Sequence, residues 1–286
     1  MRDRLRLAVP NKGRLVEPTL ALLHDAGLIF DEHDRSLVAH VQNVDLDILF
    51  VRTSDIVEFV SDGVADLGIT GRDLLVESGS RLPVVRPLGY GRCRLAVAVP
   101  ADAPFEAVED LAGLRVATSH PTVTRAFFGD RGVAMEVIGL SGAVEVAPRL
   151  GLAEAIVDLV STGSTLAMNG LRAIADVLES EAVLVTNPEA AEQRAADVAA
   201  IDTMVGAVIA ARDRKYVMMN APARQLRELE ALLPGLESPS VIPLAHEGMI
   251  AIHSVVGAND VWNLLPRLKA AGASGILVLP IEKVIP

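Results

Sequence analysis

The sequence predicts an α/β protein of two lobes with a cleft between them, followed by a small unit of a different pattern. Three observations carry that reading. Short apolar runs alternate with stretches of helical spacing from residue 5 to residue 212. Several of these runs end in a polar turn that opens a helix. From residue 215 the order changes to strand, helix, strand, strand, helix, strand. Short apolar runs bounded by turns read as buried strands. Strands alternating with helices imply a mainly parallel sheet, and ligands of such sheets bind beyond the carboxyl ends of the strands.

In the first lobe, residues 5–9 are a strand, Pro10-Asn11-Lys12-Gly13 a turn, and 14–26 a helix with Leu15, Leu20, Leu22 and Leu23 apolar. Lys12 and Arg14 then stand beside the free N–H groups of a helix start, a binding point for a triphosphate; the alternative is a solvated basic turn. Residues 37–41 and 46–51 are strands. The second runs into Arg52-Thr53-Ser54-Asp55, where Thr53 or Ser54 caps a helix through Val60. Residues 66–70 form another buried strand ending at Gly71-Arg72-Asp73. Arg72 and Asp73 read either as ligand contacts or as an ion pair at a helix start.

At Tyr90-Gly91-Arg92-Cys93 the chain crosses to a second lobe. Strands follow at 95–99, 115–118 and 133–140, the last leading to Ser141-Gly142 and a helix that holds Glu145. His120, before Pro121, is either a substrate contact or a structural turn histidine. Residues 155–157 are a strand, and 166–178 is a helix carried by Leu166, Leu171, Ile174, Val177 and Leu178. Residues 182–186 close the lobe, and a helix-rich return at 188–212 rejoins the first lobe. The βαββαβ order at 215–286 is the ferredoxin-like pattern. His246-Glu247-Gly248 makes its hairpin turn, and Trp262 and Leu265 mark an apolar helix face. A small appended unit of this kind suggests regulation, although fold alone does not establish it.

Composition narrows the function. The 286 residues suffice for two or three domains with cores. No apolar run reaches membrane-spanning length, and Met1 to Arg6 lack a long apolar signal core. One cysteine, Cys93, excludes an internal disulfide and fits a reducing cytoplasm. It reads as a small core residue, because no histidine is paired with it. The net charge of −11 argues against nucleic acid and anionic membranes as partners. The six histidines lack metal-ligand spacing, so no protein-bound metal site is expected.

The chemistry concentrates in Asp158-Leu159-Val160-Ser161-Thr162-Gly163-Ser164-Thr165-Leu166, between a strand and a helix. Gly163 admits close approach of a ligand. Ser164 and Thr165 can cap the helix and present hydroxyls. Asp158 is unsuited to phosphate and suited to sugar hydroxyls, which donate to a carboxylate. One loop thus offers a carboxylate for a ribose and a nest for a phosphate.

This loop, followed by Asn169-Gly170-Leu171, resembles the phosphoribosyl-diphosphate loop of the ATP phosphoribosyltransferase family, the first enzyme of histidine biosynthesis. The resemblance spans the chain: V-P-N-K-G-R at 9–14, D-L-G-I-T-G-R-D at 66–73, S-G-A-V-E-V-A-P at 141–148 and G-L-E-S-P at 235–239. The length and the extra C-terminal segment resemble the long form. The resemblance implies a two-lobed periplasmic-binding-protein-like catalytic core with a C-terminal ferredoxin-like regulatory domain. The expected division is 1–92 plus 187–213, then 93–186, then 214–286.

The implied reaction is attack of adenine N1 of ATP on C1 of phosphoribosyl diphosphate, releasing pyrophosphate, with Mg2+ carried on the diphosphate. Carried over, Asp158 holds the ribose hydroxyls, and Ser161, Thr162, Gly163, Ser164, Thr165 and Leu166 form the rest of the phosphoribosyl-diphosphate site. Asn11, Lys12, Arg14, Arg52, Gly71, Arg72 and Asp73 fall to ATP, with Lys12, Arg14 and Glu145 as catalytic candidates. Glu145 reads equally as a helix-surface glutamate. Asn220, Leu236, Ser238, Val255 and Gly275 would line a site for histidine as feedback inhibitor. A cytoplasmic homo-oligomer, dimer or hexamer, is implied. The competing readings are a non-catalytic two-lobed ligand-binding protein and a phosphoribosyltransferase of another class. The latter usually places two adjacent acidic residues before the loop, where this chain has Asp158-Leu159.

Overall fold

In a computed structural model that describes residues 4–31, 37–233 and 238–285, the chain divides into two compact units. One holds Met1–His24 and Leu28–Asp202, the other Asp25–Gly27 and Thr203–Pro286.

The first unit contains two sheets. Leu5–Pro10 (β1) is followed by helix α1 (Val16–Asp25), then Val38–His40 (β2), Leu46–Val51 (β3), α2 (Ile56–Ser61), Leu67–Gly71 (β4), α3 (Arg72–Glu77) and Val84–Pro87 (β5). β1 pairs in parallel with β3 and β4. Ala8 and α2 residues Ile56 and Val60 pack together as its core. The second sheet takes Cys93–Pro100 (β6), Arg115–Thr118 (β7), α4 (Pro121–Gly129), Glu136–Gly139 (β8), Ala155–Val160 (β9), α5 (Ser164–Met168) and Leu171–Ser180 (β10). Its order is β10-β6-β9-β7-β8. Leu95, Val97 and Val157 pack on one face with Phe127 and Phe128 of α4, and Ala96, Ile156 and Val160 pack on the other with Leu166.

Several expectations need correction. Ala182–Thr186 (β11) does not close the second lobe. It pairs antiparallel with β4 and β5, and the first sheet reads β2-β3-β1-β4-β11-β5. All five of its residues are buried, so its A-V-L-V-T run carries no sign of which sheet it joins. The sheets are mixed rather than mainly parallel. β6 enters the second sheet from the first lobe and runs antiparallel to both β9 and β10. β11 returns to the first sheet in the same reversed sense.

The expected helix at 166–178 is one short helix and a strand. Asn169 Nδ2 donates to the Thr165 carbonyl at 2.9 Å, a local bond that ends the helix. β10 then pairs with β6 through two bulges, at 173/175 and 176/178. Each bulge adds a residue, so Ile174, Val177 and Leu178 reach one face at helix-like spacing while Leu171 packs on the other. The helix that holds Glu145 is a single 3-10 turn, Val144–Val146, entered through Ala143 at φ 52°.

β11 leads to α6 (Pro188–Gln193), where Asn187 Oδ1 accepts the N–H groups of Glu189 and Ala190, and then to α7 (Ala195–Arg212). The return to the first sheet is seen in Asn187 Nδ2, which donates to the Val60 carbonyl at 2.8 Å, and in the Arg86–Asp202 ion pair.

The second unit contains Arg214–Pro222 (β12), α8 (Leu226–Leu232), Ser240–Pro243 (β13), Met249–Gly257 (β14), α9 (Val261–Ala270) and Ser274–Pro280 (β15). The order β13-β14-β12-β15, antiparallel throughout, is the ferredoxin-like arrangement read from the sequence. Val217, Met219, Ile252 and Val256 pack on Leu229, Leu264 and Leu268. Trp262 is not on that face: it is 87% exposed. The i,i+4 pair Leu264 and Leu268 faces the sheet, and a residue two positions earlier points the opposite way.

Candidate active site

At the end of β9, Gly163 has φ +79°, a left-handed turn that L side chains rarely adopt. This turn starts α5 directly. Ser164 is the first helical residue rather than its cap, and its hydroxyl is bonded to that of Thr162 at 2.9 Å. Ser161, Thr162, Ser164 and Thr165 are exposed. The Leu166 side chain is buried in the core, so it anchors the loop and can offer a ligand only its backbone.

Asp158 stands on β9 two residues before the turn of the chain. Its Oδ1 accepts the Leu159 N–H at 2.8 Å. Burial pushes its carboxyl above the ordinary aspartate value, and the Glu145 charge adds to that, while the Leu159 bond and His120 pull the other way. The Asp158 carboxyl thus feels the charges of both Glu145 and His120.

From the first lobe, Arg14 reaches over to the second. Its Nη2 donates to Cys93 Sγ at 2.8 Å, and Nη1 lies 3.5 Å from Ser161 Oγ, at the start of the loop. Cys93 is therefore not a core residue: it is half-buried at the start of β6 and receives a guanidinium. Arg72 lines a cavity of about 440 Å³ with Ser161, Arg92, Arg94, Glu179 and Glu181. Asn11 and Arg52 line a different cavity of about 560 Å³, walled by Leu49, Val51 and Phe59. Lys12 is exposed on the turn after β1.

Gly71 and Asp73 serve another purpose than open ligand contact. Asp73 is 3% exposed. Ser180 Oγ donates to its Oδ1, and His120 Nε2 lies 3.2 Å from Oδ2. Burial raises its proton affinity, but these hydrogen bonds and the His120 charge outweigh it and hold the carboxyl below its ordinary value. A Cβ on Gly71 would collide with the Asp73 carboxylate. His120, 3% exposed, joins α4 to α3 through this contact, and Ser119 Oγ holds its Nδ1 at 3.0 Å. Glu77 of α3 adds a second tie by accepting the Thr122 and Val123 N–H groups at 2.8 and 3.0 Å. Among the described residues this brace between the two sheets was invisible to sequence reasoning, because its bonded partners lie 45 or more positions apart.

A family model described as ATP phosphoribosyltransferase matches residues 52–208, and one described as HisG, C-terminal domain, matches 211–283. The chain belongs to the ATP phosphoribosyltransferase family. The two models together mark the long form. The ATP phosphoribosyltransferase of Cytophaga hutchinsonii is 42% identical over 281 residues, covering 98% of each chain. That of Gemmatimonas aurantiaca is 46% identical over 294 residues, covering 99% of this chain and 100% of its own. A chain of the ATP phosphoribosyl transferase (HisG:HisZ) complex from Thermotoga maritima superimposes with a TM-score of 0.63 at 30% identity, over 71% of this chain and 98% of that one. A protein solved with bound L-arginine matches at a TM-score of 0.51 and 14% identity, which bears on the fold alone. Membership of the ATP phosphoribosyltransferase family makes the chain an enzyme of the first step of histidine biosynthesis. Among the described residues, no helix is long and apolar enough to cross a membrane.

The residues expected at a histidine site lie in the second unit. Asn220 is exposed on β12 and its partner residue Ser274 precedes Gly275, so Asn220 and Gly275 adjoin. Val255 pairs with Tyr216, which places it on the same sheet face as Asn220. Ser238 precedes β13, and Leu236 lies outside the described residues.

Proposed function

We propose that the cleft of the first unit transfers the phosphoribosyl group from phosphoribosyl diphosphate to N1 of ATP with the following division of labour. Asp158 accepts the ribose hydroxyls, and Ser161, Thr162, Gly163, Ser164 and Thr165 surround the 5′-phosphate with hydroxyls and backbone N–H groups. Lys12, Arg14 and Arg72 meet the polyphosphate groups, and Asn11 and Arg52 belong to the ATP side. Glu145 touches the sugar from the turn facing Asp158. Gly71, Asp73 and His120 act one layer behind, by fixing the start of α3 against α4. The observation that carries this division is Arg14, which comes from the first lobe and ends at Ser161, the first residue of the loop.

Catalysis here is positioning and electrostatics. As C1 leaves the diphosphate, positive charge grows on the ribose and negative charge on the leaving group. Carboxylates face the first and guanidiniums the second. Mg2+ brought in with the diphosphate substrate would neutralise charge on the leaving group. The single cysteine fits a cytoplasmic enzyme. Histidine is the proposed inhibitor, acting at Asn220, Ser238, Val255 and Gly275 on a homo-oligomer, dimer or hexamer.

The test is pyrophosphate release from ATP and phosphoribosyl diphosphate with Mg2+. Folded protein that releases none ends the proposal. Activity and sedimentation with and without histidine test the regulatory half.

A further inference from the structure

We propose that Arg92 and Arg94, together with Arg72, form a diphosphate subsite beside the loop at 161–165, and that the departing diphosphate is held there. This rests on the transfer reading above and gives a part to two arginines that reading leaves out.

The pairing of β6 with β9 sets the geometry. Arg94 stands opposite Val160, and Ala96 opposite Asp158. Paired residues and their i+2 neighbours share a sheet face, so Arg94 lies on the face of Asp158, one residue before the loop begins. A ribose whose hydroxyls rest on Asp158 carries its diphosphate on the carbon next to those hydroxyls, at the end of the sugar away from the 5′-phosphate. The diphosphate therefore falls outside the loop and near the segment that crosses from the first sheet to the second.

That crossing segment is basic. Arg72, Arg92 and Arg94 line one cavity with Ser161, and Cys93 between the latter two receives a fourth guanidinium, Arg14. Arg72 is fixed there by its own N–H, which donates to the Glu181 carbonyl at 2.9 Å. In a chain of net charge −11 this concentration is a local exception. Guanidinium groups match phosphate oxygens two at a time.

The acidic groups present are Glu179 and Glu181 in the cavity and Asp176 nearby. Glu181 Oε2 accepts the Gly89 N–H at 3.1 Å and lies 3.8 Å from Arg92 Nε; Arg94 Nε lies 3.0 Å from Asp176. Arg92 is 78% exposed. Ion pairs this exposed hold their members weakly, so both arginines can turn to a diphosphate at little cost.

The test is calorimetric titration of the full chain with inorganic pyrophosphate in Mg2+, on wild type, Arg92→Ala and Arg94→Ala, with Arg125→Ala, an exposed arginine on α4, as the charge-matched control. Loss of one charge-assisted contact should weaken pyrophosphate about tenfold or more in each of the first two. Ribose 5-phosphate binding should be unchanged in both, and Arg125→Ala should match wild type. The subsite is overturned by equal pyrophosphate affinity in all four proteins, by no pyrophosphate binding to wild type, or by a parallel loss of ribose 5-phosphate. Transfer activity of wild type is read separately. An inactive wild type whose pyrophosphate binding still depends on Arg92 and Arg94 removes the transfer reading and keeps the subsite.

Discussion

Asp158→Asn separates function from stability, because the proposed ribose contact and the burial of the carboxyl give the two effects opposite signs. Asp158 Oδ1 already takes the Leu159 N–H, which leaves the second oxygen and the remaining lone pair for two ribose hydroxyls. Hydrogen bonds to a charged acceptor contribute about 1.5–3 kcal/mol, and neutral ones about 0.5–1.5 kcal/mol. Losing the charge should therefore cost about 2–3 kcal/mol over two hydroxyls. In kcat/KM for phosphoribosyl diphosphate that is a loss of about 30- to 150-fold. Stability should move the other way. The carboxyl is raised above 3.8 by burial and by Glu145, so the fold disfavours its ionised form. That penalty is absent below 3.8, sets in as pH rises through the raised folded value, and is fully present at neutral pH. Asparagine never carries it. The Tm of Asp158→Asn should equal or exceed that of wild type at neutral pH, and any advantage should fade as the pH falls toward 3.8. The assays are steady-state kinetics with phosphoribosyl diphosphate varied and scanning calorimetry across pH. Unchanged kinetics, or a clear loss of Tm at neutral pH, refutes the reasoning.

Three further outcomes follow from the same structure. Gly163→Ala forces a Cβ into a left-handed residue and should cost roughly 1–2 kcal/mol of stability while lowering affinity for ribose 5-phosphate; calorimetry that shows no change in either removes the turn from the site. Ser180→Ala removes a donor from the buried Asp73 carboxylate and should cost about 1.5–3 kcal/mol at neutral pH. Because Asp73 is held below 3.8, this stabilisation is present above that value and is lost as pH falls through the lower folded value, so the gap between the two proteins should close in acid; a gap independent of pH would point to packing alone. Asn220→Asp supplies a charged acceptor for an amino group and should tighten histidine inhibition by about tenfold, and unaltered inhibition curves would place the effector elsewhere.

How much of this was legible depended on whether the signal was local. The loop at 158–166 and the turn at Lys12 and Arg14 were readable because strand-end turns are sequence-local. The βαββαβ order was readable because each element in it has its own period. β10 was misread because its two bulges imitate helical spacing, and β11 was assigned to the wrong sheet because a strand buried on both faces says nothing about its neighbours. Trp262 was placed inside because an aromatic residue near leucines suggests a core, whereas the phase of Leu264 and Leu268 decides the matter. The brace of Asp73, His120, Ser180 and Glu77 joins distant segments, and no local pattern announces it.

In the proposed transfer the charges in the cleft are sorted along the reaction coordinate. On the sugar side stand Asp158 and Glu145, close enough that Glu145 helps to raise the Asp158 carboxyl. The two negative charges disfavour each other, and in the proposed transfer a cationic ribose at Asp158 would relieve that repulsion. On the leaving-group side stand Arg14, which reaches Cys93 and Ser161, and Arg72, Arg92 and Arg94 around the adjoining cavity. Arg92 and Arg94 meanwhile pair with Glu181 and Asp176, in exposed ion pairs that a diphosphate can replace. In the proposed transfer the carboxylate repulsion would be released as charge separates between C1 and the diphosphate. Preorganisation of this kind favours the transition state over the neutralised ground state. In the proposed reading a chain of net charge −11 can still meet a polyanion there, because Arg14, Arg72, Arg92 and Arg94 gather at one place, although Glu179 and Glu181 line the same cavity.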